Sequence, residues 1–256
     1  MNKTVLITGS TSGIGLGIAR EFAKAGYNIA FNGLEANGTE IAAGVAEEHG
    51  IKHFFSGANL LEPDAIATFI AETEKKLGAV DILINNAGMQ YVAPIEEFPA
   101  EKWNAIIGLN LTAAFHTTKH VLRGMKSKKW GRVINIASAH GLVASEFKSA
   151  YVAAKHGLVG LTKVTALEGA PFGITANAVC PGYVDTPLVR GQVADQARTH
   201  GMREEEVIAK VMLQKHAVKK FVNTESLGAL CVFLASPHAD LVTGASIPVD
   251  GGWNAQ

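Results

Sequence analysis

The sequence predicts an α/β fold in which helices cover both faces of a doubly wound parallel sheet. Short, almost wholly apolar runs alternate along the chain with longer segments of helical spacing. Strands of a parallel sheet are buried on both faces, so they read as continuous apolar runs. A glycine-rich turn after the first apolar run agrees with this, because doubly wound folds bind nucleotides at such turns.

The predicted strands are rich in β-branched and aromatic residues and are separated by helical segments such as IGLGIAREFAKAG. In chain order they are residues 4–8, 28–32, 53–57, 81–86, 132–137, 175–180 and 245–250. No linker rich in Pro, Gly or Ser divides the chain, so we expect one domain over residues 1–256. Residues 186–222 interrupt the pattern with a polar helical insert. It follows a strand's carboxyl end, where ligands bind, so we predict a substrate lid rather than a surface excursion.

Composition excludes several classes of function. The 256 residues include 23 Lys plus Arg and 23 Asp plus Glu, which gives a formal net charge of zero. No basic block indicates nucleic acid or a membrane surface, and no apolar run is long enough to span a bilayer. Without a secretory pattern or metal-spaced ligands, we expect a cytoplasmic protein with no metal site. Cys180 and Cys231 are interpreted as buried apolar residues.

The turn TGSTSGIG, residues 8–15, lies between the first strand and a helix. Its glycines let the backbone approach a pyrophosphate, and the helix N-terminus supplies N–H groups and a positive dipole end. The spacing is GxxxGxG rather than the generic GxGxxG. The predicted cofactor contacts here are Gly9, Thr11, Ser12, Gly13, Ile14 and Gly15.

The end of the second strand favours NAD over NADP. An acidic residue there binds a ribose hydroxyl, whereas an Arg accommodates a phosphate. The run Phe31 to Glu35 contains no cation, and Glu35 would repel a phosphate, although Gly33 stands where the acidic residue is usual. Leu34, Asn59 and Leu60 are predicted adenosine contacts. Asn86, Ala87 and Gly88 are predicted to form a loop over the cofactor.

Tyr151 and Lys155 lie one helical turn apart and therefore share a helix face. A phenol ordinarily ionises near pH ~10, and an adjacent ammonium lowers that pKa. Such a tyrosine can take a proton from an alcohol near neutral pH. Alone, the pattern also fits a buried Tyr beside a solvated Lys. Ser138, at the end of RVINIAS, favours the catalytic interpretation.

Six motifs or residues occur in a fixed order along the chain: TGSTSGIG, NNAG (85–88), Asn110, Ser138, YVAAK (151–155) and PG (181–182). Through them the sequence resembles the short-chain dehydrogenase/reductase family over essentially the whole chain. The resemblance implies a Rossmann-type sheet of about seven strands and a nicotinamide cofactor. Tyr151 would act as general base or acid and Lys155 would tune it and bind the nicotinamide ribose. Ser138 would hold the substrate oxygen, and Asn110 would place a water that links Lys155 to solvent. The implied cofactor residues also include Tyr151, Pro181, Gly182, Val184 and Thr186.

Polar residues near these motifs indicate a small carboxylate as substrate. Ammonium and amide groups can all donate to its oxygens, whereas an acyl tail would leave those donors unpaired. Each residue alone also fits an ordinary surface, loop or core position. The predicted substrate residues are Gln90, Ser138, His140, Lys148, Tyr151, Gln192 and Trp253.

The segments 87–99 and 138–157 resemble the branch of the family that oxidises (R)-3-hydroxybutyrate. That resemblance implies reversible NAD-dependent oxidation to acetoacetate by a homotetramer. Two other functions are considered. A reductase of 3-oxoacyl thioesters (acetoacetyl-CoA or acyl carrier protein) with NADPH would need a cation near the second strand's end and basic residues at the pocket rim for the carrier phosphates. A non-catalytic NAD(H)-binding regulator would not need the Asn, Ser, Tyr and Lys set.

Overall fold

A computed structural model describes residues 2–187, 189, 190, 193, 197 and 201–255. The strands of the described residues lie in one seven-stranded parallel sheet of order β3-β2-β1-β4-β5-β6-β7. The strands are β1 (Thr4–Ile7), β2 (Asn28–Asn32), β3 (His53–Ser56), β4 (Val80–Asn85), β5 (Gly131–Ile136), β6 (Ile174–Pro181) and β7 (Ser246–Val249). The predicted α/β fold is therefore confirmed, with strand ends shifted by a single residue at most.

Helices cover both faces of the sheet. In the described part of the chain they are α1 (Gly13–Lys24), α2 (Gly38–His49), α3 (Pro63–Leu77), α4 (Ala100–Ile107), α5 (Ala113–Lys128), α6 (Ser149–Gly169), α7 (Glu204–Val207) and α8 (Thr224–Ala235). Two π-helical turns, Gly108–Thr112 and Ile208–Met212, follow α4 and α7. None of these described helices has the length and apolarity needed to cross a bilayer.

The strands alternate their side chains between two apolar cores. On β1, Val5 and Ile7 pack on one face with Phe22 of α1, whereas Leu6 packs on the other with Phe69 of α3. This follows from the period of two along a strand, and it explains why every residue of β1 is apolar or buried. Burying each large apolar side chain contributes about 1.5–3 kcal/mol.

The strand order reverses between β1 and β4, and the loops at that point are hydrogen-bonded to each other. The Asn86 side-chain amide donates to the carbonyls of Thr8 and Gly9, at 2.9 Å in both cases. The backbone N–H groups of Asn86 and Ala87 donate to the Thr8 hydroxyl, at 2.9 and 3.0 Å. Ligands of doubly wound sheets bind in the crevice at such a reversal. The first glycine turn and the NNAG loop therefore form one edge of that crevice.

The ends of the helical insert 186–222 are held together beside β6. Val184 and Val222 form a parallel bridge, in which Asp185 N–H donates to Val222 and Val222 N–H donates to Tyr183, at 2.8 and 2.9 Å. The described part of the insert includes α7 and the π-helical turn that follows it. The insert thus leaves and rejoins the fold at the carboxyl edge of the sheet, while its role as a lid stays a prediction.

Candidate active site

The glycine turn after β1 has the geometry of an anion cradle. Gly9 and Gly13 adopt left-handed φ values of 60 and 50°, which favour glycine. A Cβ on Gly15 would lie 2.0 Å from the Gly9 carbonyl oxygen, so no larger residue fits there. Ser12, the N-cap of α1, makes no side-chain cap bond, which leaves backbone N–H groups of the first helical turn available to a phosphate. The residues present fit a dinucleotide pyrophosphate.

The Glu35 carboxylate folds back onto this turn. It accepts hydrogen bonds from the Thr11 hydroxyl and, at 2.8 Å, from the Ser12 hydroxyl. The bond from Thr11 is the main cause that holds the pKa of Glu35 below its ordinary value, so this carboxylate is ionised at neutral pH. A Cβ on Gly33 would lie 1.8 Å from Thr11 Oγ1. Glycine is required at 33 because Thr11 and Glu35 fill the space of a side chain.

The remaining predicted cofactor residues lie around the same crevice. Asn59 accepts from Leu61 N–H and donates to Glu62, at 3.1 and 3.0 Å, while Leu60 is buried in the core and Leu34 is exposed. On the opposite side, Gly182 N–H donates to Val249 at 3.0 Å. Thr186 Cγ2 lies 3.7 Å from the position of a Cβ on Gly13. The loop after β6 therefore faces the glycine turn across the crevice.

The structure brings Ser138, Tyr151 and Lys155 together. Ser138 follows β5 and hydrogen-bonds the phenol of Tyr151 on α6. The buried Lys155 ammonium donates to the Ile136 carbonyl at 2.7 Å and lies 5.6 Å from the centroid of the Tyr151 ring. Burial lowers the pKa of Lys155 to about 8, against a smaller opposite effect of the Cys180 thiol.

The expectation that Lys155 lowers the pKa of Tyr151 is wrong for this geometry. Burial raises the pKa of the phenol, and the bond from Ser138 is what opposes that rise. The Lys155 ammonium is directed to the Ile136 carbonyl instead of the phenol oxygen. Tyr151 is thus protonated at neutral pH, the state in which it can donate a proton to a ketone.

Asn110 lies in the π-helical turn after α4, a feature that often marks functional sites. Its buried side chain accepts from Met89 N–H at 2.8 Å and donates to the Met89 carbonyl at 2.9 Å. This pair of bonds fixes the backbone next to Gln90, which is itself exposed. Positioning of the loop is therefore the role that the geometry gives Asn110, and the predicted water relay remains a prediction.

Aromatic rings cluster beside Tyr151. The His140 ring centroid lies 6.0 Å from that of Tyr151 and 5.0 Å from that of Trp253. Trp253 stacks on Tyr183 at 6.1 Å, and the Lys148 ammonium lies 5.8 Å from the Tyr183 ring centroid. The predicted residues His140, Lys148 and Trp253 thus meet in one pocket. The predicted Gln192 lies outside the described residues.

His140 is neutral in this pocket. Burial, followed by the charges of Lys148 and Lys215, lowers its pKa to about 4. Its Nε2 lies 3.0 Å from the Ser145 hydroxyl. Burial and Lys215 also lower the pKa of Lys148, and no carboxylate of the described chain opposes that shift. The pocket is therefore positive through lysine rather than through histidine.

We expect stability to fall as the pH decreases from about 6.5 towards 4, because the unfolded His140 gains a proton that the folded one refuses. With a folded pKa of about 4 for His140, the free energy of unfolding should fall by about 3 kcal/mol across this pH range. Urea unfolding at several pH values measures this, and His140→Gln should remove much of the slope. The exposed His238→Gln is the control, and equal slopes in wild type and His140→Gln would contradict the prediction.

Three residues of this pocket were not predicted from the sequence. Tyr183 lies inside the loop 181–186 that the motifs did identify, so its neighbours could have indicated it. Lys215 and His216 follow the π-helical turn after α7 and belong to no recognisable motif. The His216 ring lies 5.8 Å from that of Trp253 and 6.0 Å from that of Tyr183. Only the folded chain brings this segment to the pocket.

No group of three or more potential metal ligands occurs within the described ranges.

The family model described as short chain dehydrogenase matches residues 3–197 of the chain. D-beta-hydroxybutyrate dehydrogenase of Rhizobium meliloti (strain 1021) is 52% identical over 261 residues, which covers 100% of both chains. The protein of that name from Cupriavidus necator is 54% identical and covers 99% of this chain and 98% of its own.

A solved structure extends the comparison to the fold. A variant of actinorhodin polyketide ketoreductase, crystallised with NADPH, is 32% identical and has a TM-score of 0.93. The match covers 100% of this chain and 98% of the ketoreductase chain. The resemblance predicted from the motifs is thus confirmed, and the chain belongs to the short chain dehydrogenase family.

Proposed function

We propose that this protein is an NAD-dependent enzyme that reversibly oxidises (R)-3-hydroxybutyrate to acetoacetate. The observation that carries the proposal is the pocket in which Lys148 and His140 lie beside the Ser138–Tyr151 pair. A substrate with an alcohol and a carboxylate close together matches such a site. The names of the two relatives that share more than half of its residues support the same substrate.

Ser138 and Tyr151 are proposed to hold the C3 oxygen of the substrate. Their hydroxyls are hydrogen-bonded to each other, so both can reach one oxygen atom. In oxidation Tyr151 takes the alcohol proton, and in reduction it returns one. Lys155, with a pKa of about 8, can exchange protons near neutral pH beside the Tyr151 ring. Asn110 supports this chemistry by holding the Met89 backbone beside the pocket.

The carboxylate is proposed to bind near Lys148, with Gln90 and Gln192 as additional donors. A lysine ammonium makes charge-assisted hydrogen bonds to a carboxylate, and these are stronger than neutral ones. The stacked rings of Tyr183 and Trp253 would lie beside the bound acid and reduce its contact with water, which strengthens that attraction. A short acid would satisfy the ammonium with its carboxylate, whereas a long acyl chain would leave the ammonium unpaired.

NAD would bind along the crevice from the glycine turn to the loop after β6. It would accept the hydride that leaves C3 of the substrate. Glu35 supports NAD rather than NADP, because its ionised carboxylate lies at the end of β2, where ribose specificity is set. Residues 28–37 contain no Lys or Arg to meet a phosphate. The same argument weakens the alternative of a thioester reductase that uses NADPH.

Replacing Glu35 with Gln is expected to raise kcat/KM for NADP at least about tenfold relative to NAD, because opposing like charges costs several kcal/mol. The amide oxygen can accept from one of the two hydroxyls of Thr11 and Ser12, and the amide N–H can donate to the oxygen of the other, so the turn can keep its shape. Initial rates at varied NAD and NADP measure the ratio. Glu40→Gln on α2 is a control for general loss of charge, and an unchanged ratio in Glu35→Gln would show that this carboxylate does not set the preference.

The function is tested by mixing the purified protein with NAD and (R)-3-hydroxybutyrate and following NADH absorbance. The (S) enantiomer and NADP are parallel controls. Turnover confined to the (R) acid with NAD supports the substrate, stereochemistry and cofactor together. Activity only on acetoacetyl thioesters with NADPH would favour the reductase. No turnover of either would favour a non-catalytic NAD(H)-binding regulator.

We further propose a cytoplasmic homotetramer. Phe115 on α5 and Val164 and Leu167 on α6 expose apolar side chains to solvent in the single chain. Exposed apolar groups on neighbouring helices are typical of surfaces that pair with another subunit. Symmetric association of this chain would bury them.

A further inference from the structure

The proposed carboxylate pocket has a second lysine at its rim. The Lys215 ammonium lies 5.5 Å from the centroid of the Trp253 ring, and the Lys148 ammonium lies 5.8 Å from that of Tyr183. Those two rings are nearly parallel, at 10°, with their centroids 6.1 Å apart. Each of two stacked rings therefore has an ammonium beside it, within the distance over which cations interact with aromatic faces.

The neighbouring His216 fixes the backbone that carries Lys215. Its buried ring would be 2.7 Å from a Cβ on Gly182 and 2.9 Å from one on Gly251, so it is packed tightly between these glycines. Its backbone N–H donates to Leu213 at 3.0 Å, and Tyr183 N–H approaches its Nε2 at 3.5 Å. Lys215 is exposed, but a buried residue next to it holds its Cα at the pocket rim.

The charge of Lys215 reaches the predicted substrate groups. It contributes to lowering the pKa of both His140 and Lys148, which places its field inside the pocket. A carboxylate bound beside His140 and Lys148 would therefore lie in the field of both lysines.

We propose that Lys215 is a specificity-determining residue that selects free carboxylic acids over neutral esters and thioesters of the same acyl group. The inference rests on the proposed function, because it assigns a second cation to the same substrate pocket. Lys148 would make the closer contact, and Lys215 would add attraction from the solvent side. An ester or thioester lacks the negative charge that both lysines attract, so it loses this contribution.

Lys215→Gln is the direct test. We expect the ratio of kcat/KM for (R)-3-hydroxybutyrate to that for its methyl ester to fall about threefold to fivefold, the size typical of an exposed charge pair. The effect should shrink at high salt. Lys215→Arg should keep the ratio, because it keeps the charge. Lys220→Gln removes a cation from the same exposed segment and should leave the ratio unchanged. A ratio in Lys215→Gln equal to that of Lys220→Gln, or an equal fall in Lys215→Arg, would overturn the proposal.

Butyrate binding separates this inference from the proposed reaction. Butyrate has the carboxylate but no hydroxyl to oxidise, so calorimetric titration with NADH present measures carboxylate recognition alone. A weaker affinity in Lys215→Gln than in Lys220→Gln supports the role of Lys215 even if wild type does not oxidise (R)-3-hydroxybutyrate. Equal affinities in the two variants would refute it even if wild type is fully active.

Discussion

Tyr151→Phe is expected to lower kcat for (R)-3-hydroxybutyrate oxidation by about 10²–10⁴-fold, the range contributed by a positioned acid or base. The variant loses the hydroxyl that is hydrogen-bonded to Ser138 but keeps the ring that packs against His140. Pocket shape should therefore survive, and the loss of proton transfer should dominate. Because the Tyr151 hydroxyl is also a predicted contact of the substrate and the cofactor, KM for the acid and the dissociation constant for NADH should rise, but by far less than kcat falls.

Initial rates give kcat and KM, and fluorescence titration gives the NADH affinity of the same preparations. Tyr27→Phe is the matched control, because it removes a hydroxyl from a tyrosine that packs on Phe22 at 5.1 Å in the core. It should leave kcat unchanged. A Tyr151→Phe enzyme that retains more than about a tenth of wild-type kcat would show that another group transfers the proton.

Much of the fold could be predicted because strand burial is visible in the sequence. Apolar runs such as TVLI and the six-residue strand GRVINI are buried throughout, as a sheet covered on both faces requires. The glycine turn was visible for a similar reason, since Gly15 fits only without a side chain. In the pocket, His140 and Lys148 were found because they lie close in sequence to Ser138 and Tyr151.

The parts that escaped prediction depend on long-range packing. Glu35 reaches Thr11 across the end of the sheet, and that contact explains the glycine at 33, which the sequence showed only as a departure. The direction of the Tyr151 pKa shift depends on burial and on where Lys155 donates, neither of which the helical spacing specifies. Lys215 reaches the rings only through the fold of the insert.

Lys148→Met is expected to raise KM for (R)-3-hydroxybutyrate by about 30-fold or more, because losing one partner of a partly buried, hydrogen-bonded charge pair costs about 2 kcal/mol or more. Methionine retains an apolar stem of similar length beside Tyr183, so the loss should be that of the charge. Lys148 has no carboxylate partner among the described residues, and the substrate would supply one. NADH affinity should be unchanged because the predicted cofactor contacts do not include Lys148.

Steady-state kinetics measures the change, with Lys163→Met as the control, because Lys163 is an exposed position on α6, the helix that Lys148 precedes. An unchanged KM in Lys148→Met would contradict the proposed binding of the carboxylate at Lys148, whatever the activity of the enzyme. The contrast with Tyr151→Phe is the stronger test, since one variant should lose kcat and the other should raise KM. If both variants lost kcat alone, Lys148 would act on the proton transfer rather than on binding. Its position at the Tyr183 ring instead favours a binding role, in which recognition of the acid and chemistry at C3 are carried by different residues.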